Sequence, residues 1–256
     1  MKNYLSDITD SQWILLVGVL RDNHKRKYSL RDIFNTIFYL LKIGCQWRML
    51  LGCFPKWELG YYYFTRWKNF GIIEQIHKLL RDRIRKKAGR NESLSLNNID
   101  NHTIKITRLG GENLGIDGDK MIKGRKRHII TDTMGLLLAV VIHAVIVHDS
   151  KGATDVIALL KGRFGRLDKI VVNGGYRGEL FEKTKTAFGW IIGIVLQSDH
   201  SFKFVVITQR WVCWKNVCFG SYQILSEDFE YLIDTCEAII QFAMIKLMLN
   251  RIKNKI

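Results

Sequence analysis

The residues that most clearly suggest a binding function form a dense group of cations between positions 120 and 127. No acid interrupts the group, which consists of Lys120, Lys123, Arg125, Lys126 and Arg127. The apolar residues that follow predict a strand at about 127–133, a Met-Gly turn and a second strand at 136–147. A basic loop that leads into such a hairpin would fix a polyanion against a rigid sheet.

Carboxylates on the same sheet would add phosphoryl-transfer chemistry, because a pair of divalent cations needs several acids that converge on one spot. Asp100 lies inside a predicted strand at 99–107, in the position that such a site requires. The second acid should follow the fourth strand, where the sequence has Asn173. The third should lie on the helix that follows Arg210.

The elements that would position these residues alternate in a recognisable order from residue 99 onward. Three strands come first, followed by helix, strand, helix, strand and helix, the last of them a long helix at 229–253. This order predicts an α/β fold with a mixed sheet and helices on its faces, which is the ribonuclease H-like arrangement. In an open sheet of this kind, the working groups lie at strand ends and on one facing helix.

The first 90 residues predict a separate all-α domain with helix-turn-helix-like character. Helices are expected at 8–21, from Ser29 to Gly44, from about Glu58, and from Gly71 to Gly89. Their many aromatic residues suit either a DNA-binding domain or a plain helical core. The last helix ends in a basic tail whose predicted DNA contacts are Arg81, Arg85, Lys86 and Lys87. Residues 91–98 are rich in Ser and Asn and predict a linker, which leaves 99–256 for the second domain.

The charge of the chain points to a polyanionic partner. The formal net charge is +16 and the sequence pI is about 9.7, which favours DNA or RNA over a membrane surface. A merely solubilising role for the charge is the alternative. The longest apolar run, 134–147, is too short to span a bilayer, and no signal peptide is evident at the N-terminus. We therefore expect a cytoplasmic, nucleoid-associated protein with no membrane partner.

Motifs along nearly the whole chain carry a family resemblance. They occupy residues 44–50, 61–67, 99–100, 123–136, 172–178, 210–212 and 243–249. In this order they resemble the DDE transposases of bacterial insertion sequences, in particular the insertion-sequence-5-like group. The resemblance implies cut-and-paste DNA transposition with Mg²⁺ or Mn²⁺. The implied partner is double-stranded DNA, both terminal inverted repeats and target, and a homo-oligomer is compatible with it.

The chain departs from the family pattern at two of the three acids that the resemblance implies. Asp100 is the retained first acid and implied metal ligand, and Arg210 is an implied DNA contact. The family has an aspartate where Asn173 stands and a glutamate where Trp214 stands. An asparagine offers a neutral oxygen and an indole offers no metal ligand. The resemblance also implies that one residue is missing near Phe219–Gly220. We therefore expect a family member that does not catalyse strand transfer.

Other acids were weighed as replacements for the two that are missing. The candidates are Asp132, Asp149, Asp155, Glu227, Asp228 and Glu230. A structural role is favoured for Asp132, and Glu227 lies too far along a helix from Trp214 to replace it. Three functions stay open on this basis. The chain is an active transposase with an unusual site, a non-catalytic DNA-binding protein, or a decayed transposase remnant.

Overall fold

A computed structural model describes residues 4–20, 25–107, 110–118, 121–173, 176, 180–195 and 222–253. These residues divide into two compact units. The first takes the chain up to residue 92 together with 222–226 and 238–253, and the second takes 93–195 and 227–237. The predicted site residues Lys120, Arg210 and Trp214 lie outside the described residues, as does the Phe219–Gly220 position.

Helices build the first unit, which confirms the predicted helical region. They are α1 (Asp10–Leu20), α2 (Leu30–Ile43), α3 (Trp57–Asn69) and α4 (Ile72–Lys87). Two short 3₁₀ helices, Trp47–Met49 and Gln223–Leu225, belong to the same unit. The helix-turn-helix character of the region stays a prediction.

The ends of α2 show how closely local sequence sets a helix in this unit. The backbone N–H of Asp32 donates to the Ser29 hydroxyl at 3.1 Å, and the Asp32 carboxylate accepts the Ser29 N–H at 3.1 Å. This reciprocal pair forms a capping box that satisfies two otherwise unpaired donors. At the other end, Gly44 has a φ of 73° and donates its N–H to the carbonyl of Leu40 at 2.7 Å. Such a left-handed residue costs glycine little and ends the helix.

The core of the first unit is completed from the far end of the sequence. Helix α7 (Ile233–Lys253) contributes Phe242, which has no exposed surface and stacks on Phe64 at 5.4 Å between ring centroids. The rings of Phe34 and Trp67 stack beside it at 4.3 Å. The compact units therefore do not follow the predicted division into 1–90 and 99–256, because most of α7 packs with the N-terminal helices.

The second unit is a mixed sheet with helices. Its strands are β1 (Leu96–Lys105), β2 (Gly115–Asp117), β3 (Ile122–Asp132), β4 (Leu137–Ala144), β5 (Lys169–Asn173) and β6 (Ile191–Val195). Its helices are α5 (Asp149–Ala158), α6 (Leu180–Phe188) and the start of α7. The strands run in the order β4-β3-β1-β5-β6, with β2 also paired to β3. Strands β1, β3 and β4 pair antiparallel, while β5 and β6 continue parallel to β1, which confirms the predicted ribonuclease H-like fold.

Two sequence predictions in this unit need correction. The Ser/Asn-rich stretch 91–98 is not a linker throughout, because β1 already begins at Leu96 and pairs with β5 there. The basic stretch is not a loop either, since residues 122–127 form the first half of β3. A run of cations disfavours a strand locally, but β3 pairs with β1 on one side and with β2 and β4 on the other, and this pairing outweighs the local preference.

One face of the sheet packs on α5 and α6. Its apolar residues include Ile99, Ile130 and Ile170 from the strands, with Val156 and Leu180 from the helices. Helix α5 approaches closely enough that a Cβ built at Gly152 would lie 2.3 Å from Nε2 of His128. Only glycine therefore fits between this helix and the buried imidazole on β3.

Candidate active site

Asp100 lies in the middle of β1, on the face of the sheet opposite the α5 and α6 layer. Its neighbour Ile99 is 3% exposed and belongs to the helix-covered core, and successive side chains of a strand point to opposite faces. The Asp100 carboxylate is half-buried, and its Oδ1 accepts the backbone N–H of Asn101 at 2.9 Å. The sheet thus holds this acid on a rigid, central strand.

The backbone of Asn173 lies on the strand next to Asp100. Strands β1 and β5 are parallel, with Asn98 paired to Val171. Asp100 and Asn173 each follow that pair by two residues, and adjacent strands lie about 4.8 Å apart. Asn173 ends β5, where it pairs with Val195 of β6. The structure therefore places the first two predicted site positions side by side at the carboxyl end of the parallel strands.

The residue types at these positions do not fit a pair of divalent cations. Hard cations such as Mg²⁺ prefer several charged oxygen ligands. The two neighbouring positions supply one carboxylate and one neutral amide, so half of the negative charge expected there is missing. Among the described residues, no three side chains of His, Cys, Asp or Glu come together in a way that could hold a metal ion.

Two basic residues of β3, Arg125 and Arg127, lie on the same face of the sheet as Asp100, and both are buried. Arg125 pairs with Ile104 and Arg127 with His102, both at even spacing from Asp100 on β1. Arg125 has no exposed surface and Arg127 is 2% exposed. Neither guanidinium reaches the surface, which argues against the phosphate contacts predicted at these two positions.

Arg125 instead holds the chain segment that leads into α7. Its Nη1 donates to Asp228 Oδ2 at 3.1 Å and to the carbonyl of Glu230 at 2.9 Å, and its Nη2 donates to the carbonyl of Tyr231 at 2.7 Å. The Cys236 thiol donates to the second oxygen of Asp228 at 3.0 Å. Burial raises the pKa of Cys236, so the thiol keeps its proton and its donor role. This cluster is a buried ion pair with its remaining polar atoms hydrogen-bonded.

The other predicted cations fall into two groups. Arg81 and Arg85 on α4 are 3% and 5% exposed, and Arg85 Nε donates to the carbonyl of Asn91 at 2.7 Å. The Arg127 side chain of β3 is buried in the same way. Burial lowers the pKa of Arg127 to about 10, so its guanidinium stays charged at neutral pH. The apolar face of α4 carries Arg81 and Arg85 inward, which argues against the DNA contacts predicted at these two positions.

Four of the predicted cations lie nearer the surface. Lys123 is exposed at the start of β3, while Lys126 is paired with Asp149 at 2.7 Å. On α4, Lys86 pairs with Glu92, and the exposed Lys87 donates to the carbonyl of Ile252 at 3.1 Å. The DNA contacts predicted for these lysines remain predictions.

Four of the six candidate replacement acids have other side-chain or backbone partners. Asp132 is fully buried, and its Oδ1 accepts the backbone N–H groups of Met134 and Leu136 at 2.8 and 2.9 Å. It therefore builds the β3–β4 turn, as favoured from the sequence. Asp149 pairs with Lys126, Asp228 pairs with Arg125, and Asp155 lies 3.0 Å from Nε2 of His143. Burial raises the pKa of Glu230.

One set of exposed residues was missed in the sequence. Tyr62 and Arg66 of α3 and its C-cap residue Phe70 follow one another at four-residue spacing, which places them on one side of the helix. Tyr62 and Phe70 are 51% and 70% exposed. This spacing was visible in the sequence, but the aromatic residues were considered only as a group.

Comparison with known families agrees with the fold. Residues 91–213 match the family model of the transposase DDE domain, the class that a ribonuclease H-like sheet with an acid on its first strand defines. Residues 8–77 match the model of the IS4/5 family of transposases. The chain belongs to the DDE transposases of the IS4/5 family. No curated protein matches it.

Membership in this family implies DNA as a partner and, for its active members, dependence on a divalent metal. None of the described helices combines the length and the apolar character needed to cross a bilayer. The matches cover the positions of Asp100 and Asn173 within one domain and most of the helical region in another.

Proposed function

We propose that this chain is a transposase-family protein that binds the terminal inverted repeats of an insertion sequence without cutting them. The observation that carries the proposal is the register of β1 and β5, in which the pair Asn98–Val171 is followed two residues later by Asp100 on one strand and Asn173 on the other. Strand cleavage would need a carboxylate at both positions, and the sequence provides one. Trp214 stands where the family resemblance implies the third acid.

Loss of negative charge is the physical reason for the proposed inactivity. Phosphoryl transfer in this chemistry depends on carboxylates that neutralise and orient divalent cations at the scissile phosphate. Exchange of Asp for Asn keeps the shape of the side chain but removes a full charge from the ligand set. An indole at the third position offers only an N–H donor, so Asp100 supplies one of the three carboxylates that the family resemblance implies.

DNA binding does not require the missing acids. The net charge of +16 favours association with DNA through counterion release, which makes the affinity fall as salt rises. Lys123, Lys86 and Lys87 are exposed cations that support this role. The same features suit binding to a target duplex, while preference for terminal repeats would come from base contacts.

The test restores the two acids and asks for DNA nicking. The double variant Asn173→Asp with Trp214→Glu, incubated with a labelled terminal-repeat duplex and Mg²⁺ or Mn²⁺, should nick the DNA. The unaltered protein should bind the duplex and leave it intact. Asp100→Ala in the restored background is the matched control and should abolish nicking.

Two results would contradict the proposal. Cleavage by the unaltered protein that disappears in Asp100→Ala would identify an active transposase with an unusual site. Absence of salt-dependent binding to any duplex would favour a decayed remnant over a DNA-binding protein. A restored variant that binds DNA but does not nick it would show that damage beyond these two positions, such as that near Phe219, also blocks catalysis.

A further inference from the structure

Helix α3 carries two distinct faces with different surroundings. Gly60, Phe64 and Trp67 are buried and form its inner face within the first unit. The other face presents Tyr62 and Phe70, which are 51% and 70% exposed. Large aromatic side chains at this exposure contribute little to the stability of the hydrophobic core. A cluster of them is typical of a binding surface.

Two arginines lie among these rings and connect them into a continuous row. The guanidinium of Arg66 lies 6.0 Å from the Tyr62 ring centroid and 5.5 Å from that of Phe70. Its Nη1 also donates to the Tyr62 hydroxyl at 2.8 Å. Arg26 lies 6.0 Å from the ring centroid of Tyr63, and its Nε donates to the Tyr63 hydroxyl at 2.9 Å.

The Tyr62 and Tyr63 rings connect the Arg66 group to the Arg26 group, since their centroids lie 5.2 Å apart with the ring planes at 83°. We name this set the α3 row, and it consists of Arg26, Tyr63, Tyr62, Arg66 and Phe70. Guanidinium groups held against aromatic rings lose little further freedom on binding and keep N–H donors for a ligand.

The charge around the α3 row is mainly positive, although the exposed Glu58 lies one helical turn before Tyr62 on the same face of α3. Residues 25–28 and 59–71 contain no aspartate or glutamate. They contain five cations, namely Lys25, Arg26, Lys27, Arg66 and Lys68. A polyanion therefore fits this surface, and a cationic or neutral apolar partner does not.

We propose that the α3 row binds an unpaired segment of a DNA strand, with bases on Tyr62 and Phe70 and phosphates on Arg26 and Arg66. The inference rests on the DNA binding proposed above and specifies a surface and a DNA form. Positively charged grooves with exposed aromatic rings bind single strands by stacking bases and pairing phosphates. The bases of an intact duplex are stacked on one another, so their faces cannot reach the rings.

The test compares two DNA probes by fluorescence anisotropy. One is a blunt duplex, and the other is the same duplex extended by a single-stranded thymidine tail. The unaltered full-length protein should bind the tailed probe more tightly. The variant Tyr62→Leu with Phe70→Leu should lose about tenfold in affinity for the tailed probe and less than about twofold for the blunt duplex.

A second variant tests the guanidinium separately. Arg66→Lys keeps the charge but removes the planar fork, so it should weaken binding of the tailed probe and leave the blunt duplex unchanged. The matched control is Tyr231→Leu, which removes a tyrosine that is 63% exposed and lies outside the α3 row. It should bind both probes as the unaltered protein does.

The outcomes separate this inference from the proposed function. If the unaltered protein binds neither probe, the proposed DNA binding and the α3 row both fail. If it binds DNA and the row variants do not change the affinity, only the α3 row is refuted. Equal weakening for both probes would also overturn the inference, because it would show contacts with duplex backbone. Circular dichroism of the variants should match the unaltered protein, since the altered side chains are exposed.

Discussion

At the scale of single residues, the side chains that were predicted to contact DNA differ widely in burial. Arg125 and Lys123 lie two positions apart on β3, yet one is fully buried and the other is exposed. Arg125 donates hydrogen bonds to the carboxylate of Asp228 and to several carbonyl oxygens, among them that of Glu112 at 2.9 Å. Its role is to fix the segment that begins α7, which a count of charges could not show.

We predict that Arg125→Met destabilises the protein by about 3–5 kcal/mol, because it leaves the Asp228 carboxylate buried without its partner. Urea unfolding would measure the loss. The matched change Lys123→Met on the same strand should leave the free energy of unfolding within about 0.5 kcal/mol, since the residue is exposed. Equal stability of the two variants would contradict the role of Arg125 in fixing the segment that leads into α7.

At the scale of elements, α7 also contacts the edge of the sheet through Glu237. One carboxylate oxygen of Glu237 accepts the backbone N–H of Ile142 on β4 at 3.0 Å. Burial raises the pKa of Glu237 to about 7, while the hydrogen bond from Ile142 acts in the opposite direction and Asp234 raises it further. The helix thus supplies an acceptor for a strand donor at a cost that depends on pH.

The sign of this dependence follows from the raised pKa. Between about pH 4.5 and pH 7, the folded chain retains a proton on Glu237 that the unfolded chain has released, so stability falls as pH rises through this window. Glu237→Gln keeps an acceptor for Ile142 without a charge. We predict that it matches the unaltered protein near pH 4.5 and is more stable by about 1–3 kcal/mol at pH 8.

Urea unfolding at both pH values checks this prediction. Glu182→Gln on α6 is the matched control, because Glu182 is exposed and its substitution should have little effect at either pH. A stability difference for Glu237→Gln that is the same at pH 4.5 and pH 8 would contradict the prediction.

At the scale of the whole molecule, the end of the chain completes the core near its beginning. Phe242 of α7 packs against Phe64 of α3, and Lys246 donates to the carbonyl of Asp7 at 2.9 Å. His77 of α4 lies 2.9 Å from the carbonyl of Gln241. The first unit is therefore discontinuous in sequence, so changes in α7 should affect the N-terminal helices.

We predict that Phe242→Ala destabilises the protein by about 3–5 kcal/mol, because it leaves a cavity in a fully buried aromatic cluster. Hydrogen exchange should accelerate in α2 and α3, which supply the surrounding rings. Phe229→Ala is the control, since Phe229 is 43% exposed. Unchanged exchange in α2 and α3 would show that α7 does not complete this core.

Much of the fold was predictable because local patterns determine it. The capping box at Ser29, the left-handed Gly44 and the strand–helix order after residue 99 each follow from short-range chemistry. Asp100 lies inside β1 as predicted, while Asn173, which was expected just after a buried strand, is the last residue of β5. Their roles in catalysis and in metal binding remain predictions.

By itself, the sequence determined the helical region, the mixed sheet, the family and the absence of an acid at Asn173, because these depend on residue type and local periodicity. Only the tertiary structure decided which cations are exposed, which domain α7 joins and which aromatic residues lie at the surface. Arg125 and Lys123 have the same charge, and Phe64 and Phe70 the same side chain. Their burial depends on strands and helices that are distant in sequence, and no local pattern carries that information.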